Sequence, residues 1–198
     1  MKLICKMVLL GVAVVPVGKA QNILMAGRAP ALEAGIGYSY IDASIPSQGR
    51  LEMNGVDLLG TADFSRRFGV HVDLGYARNS NVFNSNHTAD VLTYLAGPAF
   101  YPVRERNLDI YAHLLCGGAR DTGVNYESDG TMLIGFVNKF AWAAGGGVQY
   151  RFSRAFALRV GVDYLRTHFF SSSILVQGQS NLRSSTSLIY TFGEGRER

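Results

Sequence analysis

The sequence predicts an all-β protein, an eight-stranded antiparallel up-and-down transmembrane β-barrel, on three observations. The first is period. Phe140, Trp142, Ala144, Gly146, Val148, Tyr150 and Phe152 alternate with Ala141, Ala143, Gly145, Gly147, Gln149 and Arg151, and past the corner Ser153-Arg154 the alternation resumes through Tyr164. A repeat of two is the side-chain period of a strand. The second is the character of the two faces: one is apolar and aromatic, the other glycine, alanine and scattered charge. That contrast suits lipid outside and a cramped polar lumen inside. The third is the connections, which alternate strictly between short turns near residues 65, 104 and 153 and long loops near 45, 84, 129 and 174.

Composition agrees with this reading. Charged residues are 17% of the 198, against about 25% in soluble domains, and 23 glycines disfavour helix. The length is that of a single domain. Met1 to Ala20 carries Lys2 and Lys6, an apolar run from Met7 to Val17, then Gly18 and Ala20. This is the pattern of a secretory signal peptide, too short to span a membrane as a helix, with cleavage expected after Ala20 or Ala26. Its removal takes away three of the 19 basic residues and none of the 15 acidic ones. The balance of the mature domain, residues 21–198, then falls near neutrality, and with no basic patch interleaved with aromatics nucleic acid is not an expected partner. Cys5 precedes the apolar run and so is not a lipid anchor, which leaves Cys116 as a small hydrophobe on a strand face.

Each strand follows from the same alternation. Leu32, Ala34, Ile36, Tyr38 and Tyr40 oppose Glu33, Gly35, Gly37 and Ser39; a loop is expected over Asp42–Arg50, where Pro46 and Gly49 sit. The second strand, about Met53–Phe64, sends Val56, Leu58, Gly60 and Ala62 out and Asp57, Thr61 and Asp63 in. Beyond Ser65-Arg66-Arg67, Phe68, Val70, Val72, Leu74 and Tyr76 alternate with Gly69, His71, Asp73 and Gly75. Arg78–Ala89 reads as a loop. The fourth strand, about Asp90–Tyr101, contains Pro98, which implies a bulge or strand end there. Val103–Asn107 reads as a polar turn, and the fifth strand sets Ile110, Ala112, Leu114 and Cys116 against Asp109, Tyr111, His113 and Leu115. Residues 120–138 and 167–181 are the remaining long loops, the first with room for a strand extension at its end, and Leu182–Phe192 closes the chain. Aromatic residues collect at two levels: Phe64, Phe68, Phe100, Tyr150, Phe152, Phe156, Tyr190 and Phe192 at the turn end, and Tyr38, Tyr40, Tyr76, Trp142 and Tyr164 towards the loop end. These are expected to be membrane-interface girdles.

The segments FSRRFGVHVDLGYA, LAGPAF, FAWAAGGGVQYRF and NLRSSTSLIYTFG, behind a signal peptide, resemble the outer-membrane β-barrel family that includes the OmpA-type transmembrane domain. The resemblance covers the mature chain and is specific for fold rather than activity. It implies a bacterial outer-membrane location with periplasmic termini, contact with outer-membrane lipid, and barrel assembly machinery as a partner in biogenesis. The chain departs from the family in having Gly193–Arg198 after the terminal aromatic Phe192, and the peptidoglycan-binding domain that many relatives carry is not expected here.

The inward set holds Glu33, Asp57, Asp63, His71, Asp73, Asp109, His113, Arg151, Arg159, Asp163 and Arg183. A barrel of eight strands is only wide enough for side chains to fill it, so these charges are expected to pair into a plug. The alternative is a gated small pore in which pairs exchange partners. A lipid-modifying enzyme would need a nucleophile and base at the rim. Only His168 and Ser171 offer them, with Glu127 or Asp129 to orient the histidine, and the spacing matches no hydrolase motif. Asp121, Glu127 and Asp129 miss the spacing of a calcium loop, and Asn86-His87-Thr88 is an accidental glycosylation match. No catalytic, cofactor or metal residue is therefore assigned. A soluble barrel with its faces reversed would expose Ala141, Ala143, Gly145 and Gly147 as a poor hydrated surface. The reading is a non-enzymatic, monomeric envelope protein with a structural role, meeting an extracellular ligand or surface through its four long loops.

Overall fold

The computed structural model describes residues 31–45, 49–82, 88–126, 132–169 and 179–192. The expected signal peptide lies outside them. Eight strands follow in order: β1 (Ala31–Ile45), β2 (Gly49–Asp63), β3 (Phe68–Asn79), β4 (Ala89–Arg104), β5 (Leu108–Tyr126), β6 (Met132–Arg151), β7 (Phe156–Thr167) and β8 (Gln179–Phe192). Each pairs antiparallel with its sequence neighbours, and β8 returns to β1 to close the barrel. Closure removes every edge at membrane depth, which is what a sheet requires in hydrocarbon.

Burial alternates along the strands with the predicted parity. In β7, for example, Phe156, Leu158, Val160, Val162 and Tyr164 are exposed while Ala157, Arg159, Gly161, Asp163 and Leu165 are buried. The protein is therefore inverted relative to a soluble barrel: large apolar side chains cover its outside and charges fill its centre. Two of the short turns share one chemistry, read in the repeated Phe-Ser-Arg-x-Phe of residues 64–68 and 152–156. Ser65 Oγ accepts the N–H groups of Arg67 and Phe68, and Ser153 Oγ those of Ala155 and Phe156, so each hydroxyl satisfies turn amides that no strand reaches.

Three expectations are corrected. The strand does not end or bulge at Pro98, which pairs in register with Val70. The register shift falls between Phe100 and Val103, where Tyr101 and Pro102 insert one extra residue opposite β5. Pro102 lacks the N–H that the ladder would use there. The extra residue flips the parity of the last residues of β4, so Arg104 points inward rather than lying in a turn. The first loop is much shorter than Asp42–Arg50, because β1 runs to Ile45 and β2 starts at Gly49, whose φ of 103° suits glycine. Most of residues 120–138 is strand. β5 and β6 stay paired from Leu108↔Tyr150 to Tyr126↔Met132, although β4 stops pairing with β5 at Thr122 and β7 with β6 at Ala141. A hairpin therefore projects past its neighbours.

Candidate functional site in the barrel lumen

The lumen fills in three levels. At the turn end, Arg104 from the bulged end of β4 ion-pairs with Asp63 and reaches Asp109 at 3.5 Å. It also donates to the carbonyls of Ser65 and Arg66, and its guanidinium lies 3.5 Å from the centre of the Tyr101 ring. Arg151 bridges Asp109 at 2.7 Å and Glu33 at 2.9 Å, and Arg159 meets Glu33 at 3.2 Å. Gln149 donates to Glu33 and accepts from Arg159 Nε at 2.8 Å. Charges thus alternate as Asp63, Arg104, Asp109, Arg151, Glu33, Arg159. Such alternation lets each desolvated ion face an opposite one.

The middle level is built on Arg183, which is 2% exposed. It grips Asp73 through Nη1 and Nη2 at 2.8 and 2.9 Å and Asp163 through Nη2 at 2.7 Å. Asp163 also takes His113 Nε2 at 2.8 Å, His113 Nδ1 faces His71 Nδ1 at 3.1 Å, and His71 Nε2 meets the Tyr101 hydroxyl at 2.9 Å. With both imidazoles neutral, one arrangement of protons satisfies all three contacts: His113 donates from Nε2 to Asp163, His71 donates from Nδ1 to His113 Nδ1, and Tyr101 O–H donates to His71 Nε2. Each tautomer is then set by its neighbours.

Glycine makes room for this level. A Cβ at Gly147 or Gly161 would stand 2.9 or 2.5 Å from the Tyr111 hydroxyl, and one at Gly145 would stand 2.1 Å from Asp163 Oδ1. The sparse face of the β6–β7 hairpin is therefore space for other strands' side chains. Asp57, 1% exposed, enters the same level beside Gly75, where a Cβ would stand 2.7 Å from its Oδ1.

The loop-end level is apolar. Ile41, Leu51, Met53, Ala77, Leu95, Leu115, Ala119, Ala141, Ala143 and Leu165 belong to one buried cluster, with Val82, Ala89, Val91 and Phe169 against it. Thr167, Gln179 and Asn181 bond one another beside it, Thr167 Oγ1 donating to Gln179 at 2.9 Å. Between the levels the described residues enclose a cavity of about 10 Å³, lined by His71, Tyr111, His113, Leu115, Arg159 and Asp163 among others. That is the space of one water.

Of the eleven inward residues expected from sequence, the structure links Glu33, Asp63, His71, Asp73, Asp109, His113, Arg151, Arg159, Asp163 and Arg183 by ion pairs or hydrogen bonds, and buries Asp57 beside them. Alternation alone misses Arg104, because the bulge reverses parity at the end of β4; Pro102 is the signal that could have found it, whereas Tyr101 keeps the inward parity of Ala99. It misses the apolar loop-end level too, because buried Leu and Ala on an inner face read singly as spacers.

On the outside, Tyr150, Phe152, Phe156, Tyr190 and Phe192 gather at the turn end, with Tyr190 and Phe192 edge to face at 4.9 Å. Tyr38, Tyr76, Trp142 and Tyr164 lie nearer the other end. The three tyrosine hydroxyls find polar neighbours, Tyr38 donating to Asn54, Tyr76 to Asp90 at 3.0 Å, and Tyr164 meeting Ser180 at 2.6 Å. Trp142 packs on Tyr164 at 5.6 Å. His168 Nδ1 donates to the Phe140 carbonyl at 3.1 Å. Ser171, Glu127 and Asp129 lie outside the described residues, as does the Asn86 sequon.

Comparison with known proteins accords with this geometry. The family model for the outer membrane protein beta-barrel domain matches residues 7–192. No curated protein matches the chain. Among solved structures, Ail, the attachment invasion locus protein of Yersinia pestis, superposes with a TM-score of 0.59 at 16% identity, covering 83% of this chain and 100% of that one. Neisserial surface protein A gives 0.58 at 11%, covering 84% and 98%. OprG from Pseudomonas aeruginosa gives 0.53 at 13%, covering 85% and 99%. At these identities the likeness is one of fold. With the family model spanning nearly the whole chain, this protein belongs to the outer membrane protein beta-barrel family of bacterial outer membranes.

Proposed function

We propose that this protein is a closed, non-enzymatic barrel of the outer membrane that contributes to envelope integrity and meets surface partners through its loop end. The carrying observation is the filled lumen: two levels of largely paired charges under an apolar level, with a cavity of about 10 Å³ between them among the described residues. Ions crossing such a lumen would have to displace packed Leu95, Leu115 and Leu165 as well as break buried ion pairs.

Orientation follows from the connections. Short turns in this architecture are periplasmic and long loops extracellular, which puts both termini in the periplasm. The β5–β6 hairpin then stands out from the cell surface. Its upper strands keep their pairing with each other beyond their neighbours' ends, which offers rigid backbone and the exposed Phe136 and Phe140 to a partner.

Planar-bilayer recording on refolded protein tests the closed lumen. The expected result is a silent bilayer at either polarity. Steady openings that change on Arg159→Ala or Asp163→Ala would replace this reading with the gated pore. A cysteine placed at Asn54 and labelled on intact cells by an impermeant maleimide tests orientation separately, since only an extracellular residue reacts.

A further inference from the structure

We propose that the turn end of the barrel docks an extended acidic peptide segment of a periplasmic protein through Arg66, Arg67, Arg106 and Arg154. The proposal adds a partner to the envelope reading above and rests on the periplasmic placement of this end.

The four arginines stand on the three short connections, between β2 and β3, β4 and β5, and β6 and β7, and all are exposed. None has a carboxylate partner among the described residues, and Glu105 is the one exposed acid on those connections. The interior does not use their charge. Just behind the turns, Glu33, Asp63 and Asp109 are matched by Arg104, Arg151 and Arg159, so the core of this end is balanced and the tips are surplus. Such an uncompensated end presents a positive potential to whatever lies beyond it.

The tips form a fixed array. Backbone hydrogen bonds tie each connection to the next strand round the ring: Tyr101 N–H donates to the Arg67 carbonyl at 2.8 Å, Arg151 N–H to that of Asn107 at 2.7 Å, and Thr191 N–H to that of Ala155 at 2.8 Å. Side chains join the first two connections as well, Arg66 donating to the Arg104 carbonyl at 3.4 Å and Arg104 to that of Arg66 at 3.2 Å. In the repeated Phe-Ser-Arg-x-Phe, the hydroxyls of Ser65 and Ser153 hold the turn amides alike, so Arg66 and Arg154 occupy the same place in two turns of one design. Strands lie about 4.8 Å apart, and successive tips, two strands apart, therefore recur about every 10 Å.

Spacing and charge select the partner. An extended chain in the polyproline II conformation turns once in about three residues and rises about 3.1 Å for each, which puts every third side chain on one face at about 9 Å. Acids at that interval meet successive tips, where a guanidinium takes a carboxylate through two parallel hydrogen bonds. Strand addition is closed to such a partner because the barrel has no free edge here, which leaves side-chain recognition. Arg66, Arg67 and Arg154 lie between the exposed pairs Phe64 and Phe68, and Phe152 and Phe156, at tips beyond the aromatic level, which favours a partner in the aqueous periplasm over a lipid phosphate.

Fluorescence anisotropy tests this, with a fluorescein-labelled Glu-Pro-Pro repeat peptide and the full chain refolded in phosphatidylcholine nanodiscs, which leave both ends accessible. The wild type should bind the peptide, less tightly as ionic strength rises. Arg154→Glu should weaken binding by up to about fivefold, and Arg66→Gln, Arg67→Gln, Arg106→Gln and Arg154→Gln together by about tenfold or more. Arg50→Gln and Arg78→Gln at the loop end should leave it unchanged. Heat-modifiable gel migration verifies that each variant is folded. Equal binding by the fourfold variant, equal binding of a Gln-Pro-Pro repeat, or loss of peptide binding when phosphatidylglycerol is included in the disc, which would make the tips a lipid contact, would each overturn the proposal. Binding in nanodiscs is independent of orientation, so failure here is distinguishable from failure of the surface-labelling experiment.

Discussion

Single guanidiniums hold several oxygens each in the lumen, and Arg183 is the extreme case. With it gone, Asp73 and Asp163 would be left as buried carboxylates without its charge, a situation that costs about 3–5 kcal/mol. Arg183→Leu is therefore expected to lower the urea midpoint of refolded barrels sharply, whereas Arg50→Leu, whose Asp42 partnership is exposed, should change stability by under about 1 kcal/mol. A second residue-scale expectation concerns pH. Asp121, in the polar rim above the apolar belt, titrates from an ordinary 3.8 up to about 6 in the folded protein. An acid whose folded value is raised binds its proton more tightly when folded, so its ionisation costs stability. The penalty is absent below about pH 4, grows between about 4 and 6, and is complete above that. A difference of two in pH corresponds to about 3 kcal/mol, and water reaching a half-buried group reduces this to about 1–2. Asp121→Asn should match the wild type at pH 3.5 and exceed it at pH 7.5; a constant difference in the urea midpoint would contradict this account.

At the scale of elements, strand parity explains most of what alternation could place and also where it fails. Glu33, Asp73, Arg159, Asp163 and Arg183 could be put inside from sequence because each lies on an unbroken run of alternating residues. Arg104 could not, because one inserted residue at Tyr101-Pro102 exchanges inside and outside for the end of β4. The projecting hairpin was hidden for another reason: outside the membrane a hairpin need not be apolar on one face, so β5 and β6 continue without the signal that identifies them lower down. Packing also sets limits that composition does not reveal. Gly161→Val should bring a side chain into the Tyr111 hydroxyl, with an overpacking cost of about 1–3 kcal/mol, while Gly60→Val on the open outer face, where a Cβ meets only Val72 at 3.8 Å, should be near neutral. Chemical unfolding of the two variants in the same vesicles compares them directly.

For the molecule as a whole, the levels of the lumen divide labour. Ion pairs lock the turn-end half together across distant strands, Glu33 of β1 with Arg151 of β6 and Arg159 of β7, and Arg183 of β8 with Asp73 of β3. The apolar cluster seals the loop-end half without such specificity. If that seal is the barrier, Leu95→Ala, Leu115→Ala and Leu165→Ala together should admit measurable bilayer currents, or at least loosen the barrel so that its heat-modifiable band converts at lower temperature. The corresponding loss of buried volume costs about 2–5 kcal/mol for each site. Unchanged conductance and unchanged conversion would shift the barrier to the ion-pair levels.

From sequence alone came the strand count, the outward face of each strand, the aromatic levels and the charge inventory, because a two-residue period and a lipid-facing exterior write themselves into every second position. Pairing across the lumen came only from closure. Which acid meets which arginine depends on register and on strands up to 126 positions apart, as Arg159 and Glu33 are. The bulge that turns Arg104 inward, the room that glycines leave for Tyr111 and the apolar seal likewise exist only once the eight strands surround one narrow space, where each side chain's neighbours belong to other strands.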